Sequence, residues 1–445
     1  MIQTISRFTA LVVLLVSGLQ LDAQNDMSLE IDFETYTLDN GLQVVLYQKN
    51  TAPIVNVSVL YHVGGKDSFE GRTGFAHFFE HLMFEGSKNI SRGEYATYVQ
   101  DAGGQLNAFT SQDITYYTET LPSNQLELGL WLESERMLHA EVLDEGIETQ
   151  REVVKEERRQ TMENQPYGSL LYEIFRRAFS EHPYQHPNIG YMEDINAATE
   201  ADFQRFYATY YVPNNAVLAV AGDIDVAQTR AWIEKYFGSI PMGGEVPRVE
   251  VVEPQLTAEV IDTVYDQVQL PALIFAYRVP ELNHPDAAAI SVMNSILSQG
   301  QSSRLNRRLV DDAQLALQTA SLSFEMEDPG LSVAFAVMRP GVDLAQAEAM
   351  MSEEVNKMAT ELISEQEYDK VMNQIETQLV NQVSQSTQIA QLLAEYQTFY
   401  GDPSRINSEL DRYQAVSRED IRRVAQTYFN KDNRVVLYWL PEQSR

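Results

Sequence analysis

The stretch TEADFQRFYATYYVPNNAVLAVAG (residues 199–222) recurs near the end of the chain as SREDIRRVAQTYFNKDNRVVLYWL (417–440). Each copy has the pattern of an amphipathic helix, a turn and a buried strand. A helix–turn–strand pattern can recur by chance, but an ungapped run of this length at the end of each half favours a duplicated domain. The two copies are 218 residues apart and share six identities: Asp202/Asp420, Arg205/Arg423, Thr209/Thr427, Tyr210/Tyr428, Asn215/Asn433 and Val217/Val435.

The rest of the chain agrees with two domains. Its 445 residues exceed what one ordinary core holds. Segments 41–49 and 54–65 predict two antiparallel strands, and the strands and helices that follow do not form regular βαβ units. We therefore predict an α+β fold of two homologous α/β-sandwich domains, residues 24–243 and 244–445. They meet in the Gly- and Pro-rich linker at 238–254.

The N-terminus has the pattern of a secretory signal peptide over residues 1–23. Arg7 precedes an apolar run, Phe8–Leu21, and Ala23 is a small residue at a suitable cleavage point. No later segment reaches the roughly 18 consecutive apolar residues that a membrane span needs. We expect a periplasmic or secreted protein with no stable membrane anchor.

Charge and cysteine content exclude several classes of function. The formal net charge is −32, from 32 basic and 64 acidic residues. This argues against nucleic acid or an anionic membrane as a partner, since both require positive surface. The alternative is that the negative charge only keeps the protein soluble. The chain has no cysteine, so any metal must be held by His, Asp or Glu.

The stretch GFAHFFEHLMFEG (74–86) contains the strongest chemical signal. On a helix, His77 and His81 lie one turn apart on the same face, where both rings can bind one metal ion. Two imidazoles suit zinc, which lowers the pKa of water, and Glu80 borders the same face as a general base. The alternative is a pair of histidines packed into a core helix, but the H-x-x-E-H spacing on a helix after a strand favours the metal.

H-x-x-E-H is the inverzincin signature, and the chain resembles the family of pitrilysin, insulin-degrading enzyme and the mitochondrial processing peptidase. The resemblance implies a zinc metalloendopeptidase with one Zn²⁺ per chain. It also implies a third ligand, a glutamate in a segment like ERxVVxEE. Here that segment is QREVVKEERRQ, and Glu157, 76 residues after His81, takes this place. Glu156 is the weaker option.

The likeness extends over about residues 33–440. The stretch GGQLNAFTSQDITYYTETLP (103–122) resembles the substrate-binding edge strand of the family, which implies that Asn107, Ala108 and Phe109 bind a peptide by strand addition. The family resemblance further implies that the two domains form half of a clamshell around the peptide.

Two features depart from the family. Gln150 stands where a second glutamate usually supports the ligands, so zinc is held more weakly or another acid compensates. In LVDDAQLALQTAS (309–321), Val310 and Leu317 stand where active relatives carry Arg and Tyr. The resemblance thus implies a heterodimer with a homologous zinc-less subunit that supplies Arg and Tyr; a homodimer is the alternative. A second functional hypothesis is a catalytically weak peptide-binding or assembly subunit with a retained zinc site.

Overall fold

The computed structural model describes residues 30–444, so the predicted signal peptide at 1–23 lies outside the described residues. The chain contains both helices and strands, as predicted for an α+β fold, and the strands form two sheets. The first sheet has the order β1-β2-β6-β3-β5-β4 and the second the order β7-β11-β8-β10-β9. The strands are β1 (Glu34–Thr37), β2 (Gln43–Gln48), β3 (Ile54–Tyr61), β4 (Gln105–Thr110), β5 (Thr115–Pro122), β6 (Ala216–Gly222), β7 (Val260–Asp266), β8 (Ala272–Val279), β9 (Ala316–Phe324), β10 (Gly330–Met338) and β11 (Arg434–Pro441).

Helices cover these sheets and connect their strands. Those of the first half are α1 (Phe75–Leu82), α2 (Tyr95–Asp101), α3 (Leu126–His139), α4 (Asp144–Arg158), α5 (Leu170–Ala178), α6 (Met192–Ala197), α7 (Glu200–Tyr210) and α8 (Val226–Phe237). Those of the second half are α9 (Ala287–Ser298), α10 (Leu344–Thr360), α11 (Glu365–Gln382), α12 (Ser386–Tyr400), α13 (Glu409–Gln414) and α14 (Arg418–Tyr428).

The predicted duplication is confirmed by the sheets. Five strands of each sheet have the same spatial order, and the pairing directions also match: β2 is parallel to β6 as β7 is to β11, and the remaining pairs are antiparallel. The repeated segments form α7 with β6 and α14 with β11. Segment 238–259 between the halves has no helix or strand; the boundary at 243/244 stays a prediction.

The strands predicted at 41–49 and 54–65 run antiparallel but are not neighbours. β6 lies between them, parallel to β2 and antiparallel to β3. All seven residues of β6 are buried, and a strand flanked on both sides and covered on both faces suits its continuous apolar sequence.

The two copies of the repeat also share their local contacts. Thr199 and Ser417 each cap a helix in a reciprocal capping box with the aspartate three residues on. At the turn, the Nδ2 of Asn215 donates to the carbonyl of Tyr210 (2.9 Å), and the Nδ2 of Asn433 donates to that of Tyr428 (2.8 Å). The shared Asp, Tyr and Asn are thus used in the same way in both halves.

The halves exchange one helix each. α5 of the first half packs against β8 and β11 of the second sheet, where Phe175 and Phe179 join a core with Trp439. α12 of the second half packs against β3 and β6 of the first sheet, where Leu393 joins a core with Leu60. This reciprocal packing buries apolar surface across the joint and ties the halves together.

No helix in the part of the chain that the structure describes combines the length and apolar character needed to span a bilayer.

Candidate metal and peptide site

Helix α1 is oriented by the core beneath it. Its buried face carries Phe75, Phe78, Phe79 and Leu82, and the ring of Phe75 stacks on that of Phe203 with centroids 4.5 Å apart. Because residues three and four apart share a helix face, this burial leaves the polar residues of the motif on the opposite side.

Gly74 sets the entry to α1. Its φ of 83° lies in the left-handed region, and a Cβ there would stand 2.6 Å from the carbonyl oxygen of Ile189. Only glycine fits this position without strain.

The structure brings His77, His81 and Glu157 together. The Nε2 of His77 lies 3.5 Å from one carboxylate oxygen of Glu157, and the Nε2 of His81 lies 3.1 Å from the other. One donor atom from each of the three falls within 4.8 Å of the other two, and all three side chains are partly open to solvent. Hydrogen bonds with His77 and His81 hold the pKa of the Glu157 carboxyl well below its usual range.

This set of donors fits zinc. Two imidazole nitrogens and one carboxylate are a ligand set of catalytic zinc sites, and solvent access leaves room for a further ligand. Glu156 lies outside the set: its carboxylate pairs with Arg159 at 3.3 Å on the exposed side of α4. The structure therefore favours Glu157 over Glu156 as the third donor.

Glu80 directly precedes His81 on α1, and its carboxylate is held by a residue that the sequence did not single out. The hydroxyl of Thr110 donates to Oε2 of Glu80 at 2.7 Å. Thr110 ends β4, and Nδ2 of Asn188 donates to its carbonyl at 2.7 Å. The sequence offered one indication of this role: Thr110 directly follows Phe109 in the strand that was predicted to bind the substrate.

Gln150 does not stand alone on α4. Its Nε2 donates to the carboxylate of Glu85, which also pairs with Arg92. Glu85 is largely buried, with 11% of its side chain exposed. An acid therefore lies one hydrogen bond beyond Gln150, and the sequence alone did not single it out because Glu85 follows α1 in a turn.

β4 forms one edge of the first sheet, paired only with β5 among the described strands. Asn107, Ala108 and Phe109 pair with Thr118, Tyr117 and Tyr116 of β5, so the other edge of β4 is open. An open strand edge offers main-chain donors and acceptors to an added peptide strand.

A cavity of about 730 Å³ lies at the joint of the two halves, next to His77 and Glu157. His77 and Glu157 line one side of it, Phe109 lies on its wall, and Phe324 at the end of edge strand β9 faces it from the second half. The edges of both sheets therefore border the same space.

The two residues at the expected Arg and Tyr positions lie elsewhere. Val310 packs against the core of the second half, and Leu317 is 46% exposed on β9. Neither lines the cavity beside His77, and neither side chain can donate a hydrogen bond.

Comparisons with known proteins agree with this architecture. Residues 43–190 match the family model described as insulinase (peptidase family M16), and residues 197–375 match the model described as the peptidase M16 inactive domain. The chain is 32% identical over 438 residues to the zinc protease PqqE of Helicobacter pylori, covering 97% of each chain.

Solved structures show the same fold. A protease from Helicobacter pylori superposes with a TM-score of 0.88 at 30% identity, over 93% of this chain and 100% of that one. The periplasmic protease PqqL from Escherichia coli superposes with a TM-score of 0.76 at 21% identity, over 93% of this chain but 48% of that one. The second likeness concerns the fold alone.

Proposed function

We propose that this chain, which belongs to the insulinase family of peptidases (peptidase family M16), is an exported zinc-dependent endopeptidase that cleaves peptides or unfolded protein segments. Relatives of the chain are named zinc proteases. The observation that carries the proposal is the convergence of two imidazole nitrogens and the Glu157 carboxylate at one point, with both histidines on the helix that also carries Glu80.

In this proposal His77, His81 and Glu157 hold the metal. A zinc ion bound there supplies a Lewis acid that acidifies water and polarises a carbonyl group. Gln150 and Glu85 support the helix that carries the carboxylate ligand, as the hydrogen bond between them indicates.

Glu80 acts as the general base. It takes a proton from the attacking water and then gives it to the nitrogen of the leaving amine. Thr110, whose hydroxyl bonds Oε2 of Glu80 at 2.7 Å, holds one oxygen and leaves the other for the proton. A purely structural zinc site has no need of such a carboxylate.

The substrate lies along β4 as an added strand. The open edge at Asn107, Ala108 and Phe109 adjoins Thr110, so a peptide bound there passes close to Glu80. Main-chain bonds of this kind select for extended conformation and tolerate many sequences.

A homologous zinc-less subunit completes the active site in this proposal. Val310 and Leu317 leave this chain without an Arg and Tyr of its own, and the second half matches a model described as an inactive domain. The fold of PqqL, in which a chain like this one covers 48% of the length, supports a pair of such units at the level of fold.

A peptide-binding or assembly subunit is the second candidate, favoured by Val310, Leu317 and Gln150. The discriminating experiment compares the purified mature chain with its Glu80→Gln variant, each with one equivalent of zinc. Hydrolysis of a quenched fluorescent peptide mixture and zinc content are both measured. Loss of a general base typically costs about 10²–10⁴-fold in rate, so we expect such a loss at unchanged zinc content.

The experiment is repeated with candidate zinc-less homologues added. Zinc binding without cleavage in every combination would refute the peptidase proposal and favour the binding role. Equal cleavage by wild type and Glu80→Gln would show that another group is the base.

A further inference from the structure

The α4–α5 connection, residues 159–169, begins two residues after the candidate metal donor Glu157. It starts as one wide helical turn, Arg159–Glu163, that continues α4 with a looser winding. Single wide turns of this kind at the end of an α-helix are uncommon, and they occur frequently at functional sites. Thr161 and Gly168 of the connection also line the cavity beside His77. The connection therefore borders both the candidate metal donors and the space in which a peptide would lie.

One residue of the α4–α5 connection is strained and is anchored to the second half. Tyr167 has a φ of 61°, in the left-handed region that a bulky side chain rarely adopts. Its N–H donates to Oδ2 of Asp266, which ends β7, at 3.1 Å, and its hydroxyl donates to the carbonyl of Leu270 at 2.6 Å. The same Oδ2 of Asp266 accepts from Nε1 of the buried Trp439 at 2.9 Å. Backbone strain persists only where the surroundings fix it, and it clusters at functional sites.

A chain of contacts leads from this anchor to Glu157. Gly168 follows Tyr167 and packs against the wide turn so closely that an added Cβ would overlap the carbonyl oxygen of Thr161. The hydroxyl of Thr161 in turn donates to the carbonyl of Glu157 at 2.8 Å. Because closely packed groups have no free space in which to absorb a shift, a displacement of Tyr167 would move the end of α4 that carries the Glu157 carboxylate.

We infer that Tyr167 is a positioning residue: by anchoring the α4–α5 connection to the second half, it sets the place of the Glu157 carboxylate relative to the two imidazoles, so that zinc affinity depends on the docking of the halves. The inference rests on the metal site of the proposed function. Zinc requires its donors within about 0.2 Å of their proper distances, so a displaced carboxylate binds it less well. In the alternative, first-half contacts alone fix Glu157, such as the hydrogen bond from Nε of Arg158 to the carbonyl of Gly190 at 3.1 Å.

The zinc affinity of the purified mature chain tests the inference without requiring catalysis. The Kd for zinc is measured by competition with a fluorescent chelator. Tyr167→Phe removes only the hydroxyl anchor, whereas Tyr167→Gly removes the whole side chain and also the strain, because glycine adopts a positive φ freely. Loss of a group that orients a metal ligand directly costs about 10–100-fold in affinity. Since Tyr167 acts through intervening contacts, we expect the Kd to rise about 3-fold in Tyr167→Phe and about 10-fold in Tyr167→Gly.

Two further variants separate positioning from stability. Gly168→Ala leaves the anchor intact but pushes the connection away from Thr161, so it should raise the Kd for zinc about 10-fold or more. Tyr236→Phe is the matched control: its hydroxyl donates to Glu127 at 2.9 Å within the first half, and its loss should leave the Kd unchanged even if urea unfolding shows lower stability. Circular dichroism confirms folding, and Tyr167→Phe keeps the test valid if a larger change prevents it. Wild-type affinity in the Tyr167 and Gly168 variants would overturn the inference.

Cleavage assays on the same proteins separate this inference from the proposed function. A wild-type chain that cleaves peptides, with a zinc affinity that none of these variants changes, keeps the peptidase proposal and refutes the role of Tyr167. A chain whose zinc affinity falls in the Tyr167 and Gly168 variants, but which cleaves no peptide even with a partner subunit, keeps the role of Tyr167 and refutes the peptidase. A wild-type chain that binds no zinc would overturn the inference together with the metal site.

Discussion

Helices α1 and α9 occupy equivalent places in the two halves but differ in chemistry. Each follows the strand next to the repeated central strand, β3 in the first sheet and β8 in the second. The sequence of α1, FAHFFEHL, buries one face and leaves His77, Glu80 and His81 partly open to solvent on the other. The sequence of α9, AAAISVMNSILS, buries nine of twelve residues and has no titratable side chain.

The comparison shows which part of a duplicated fold is constrained. Both helices must cover a sheet, so each keeps an apolar face. The opposite face of α1 borders solvent and carries two of the candidate metal donors, whereas α9 is covered on most sides. The same contrast applies to the edge strands, since Thr110 of β4 bonds Glu80 while the hydroxyl of Thr319 on β9 is buried without a partner.

The largest expected effect comes from removing one polar side chain from α1 and, as a comparison, one from α9. His81→Ala removes one of the three donors, so we expect loss of stoichiometric zinc and of all peptidase activity. Asn294→Ala in α9 removes the acceptor of a hydrogen bond from Ser332 (2.6 Å), which should lower the free energy of unfolding by about 1–3 kcal/mol with zinc content unchanged. Metal analysis and urea unfolding measure both. A zinc-binding His81→Ala variant would show that the metal is held elsewhere.

Local signals indicated correctly which residues lie close together. The H-x-x-E-H spacing, the Glu157 segment and the 218-residue repeat each depend on residues close in sequence, or on a pattern repeated whole. Glu157 does lie with His77 and His81, and the repeat does mark two equivalent halves.

The features that were missed depend on contacts between distant segments. β6 enters between β2 and β3 from more than 150 residues away, and neither hydropathy nor turn residues indicate such an insertion. The exchange of α5 and α12 has no local signature either, because an amphipathic helix does not specify which sheet it covers. Glu85 is bonded to Gln150 across 65 residues.

A second prediction concerns the joint between the halves. Nζ of Lys66 lies 2.9 Å from Asp113 in the first half, and 2.7 and 2.9 Å from Glu327 and Asp328 in the turn between β9 and β10. Burial raises the pKa of Glu327, but pairing with His62 and Lys66 outweighs it and lowers the pKa to about 2. Burial also raises the pKa of Asp328, but pairing with His182 and Lys66 outweighs it and lowers the pKa to about 2.

The sign of the pH effect follows from these depressed values. Unfolded carboxyls titrate near pH 4, so the stabilisation is complete above about pH 5 and is lost as the pH falls towards 2. Lys66→Met should lower the free energy of unfolding by about 3–5 kcal/mol at pH 7, because three carboxylates lose their cation. That deficit should shrink as the pH falls from 5 to 3.

Lys357→Met is the matched control for this prediction. Lys357 pairs with Glu353 and Glu354 at 2.9 and 2.8 Å, but with 33% of its side chain exposed and within one helix. Its loss should cost less than about 1 kcal/mol at any pH. Urea unfolding at pH 7, 5 and 3 measures all three proteins, and a Lys66→Met deficit that does not change with pH would argue against the ionic joint.

The smallest expected effect tests the edge strands, and it concerns the base rather than the metal. Thr110→Val keeps the shape of the side chain but removes the 2.7 Å hydrogen bond to Glu80. A hydrogen bond to a charged group contributes about 1.5 kcal/mol at the low end, so kcat should fall about 10-fold with zinc content and KM unchanged. Thr319→Val on β9 should leave kcat as it was, because the Thr319 hydroxyl has no partner to lose. If Thr110→Val raised KM alone, Thr110 would act on the bound peptide and not on Glu80. In that case β4 would differ from β9 because its free edge binds the peptide, and not because Thr110 holds Glu80.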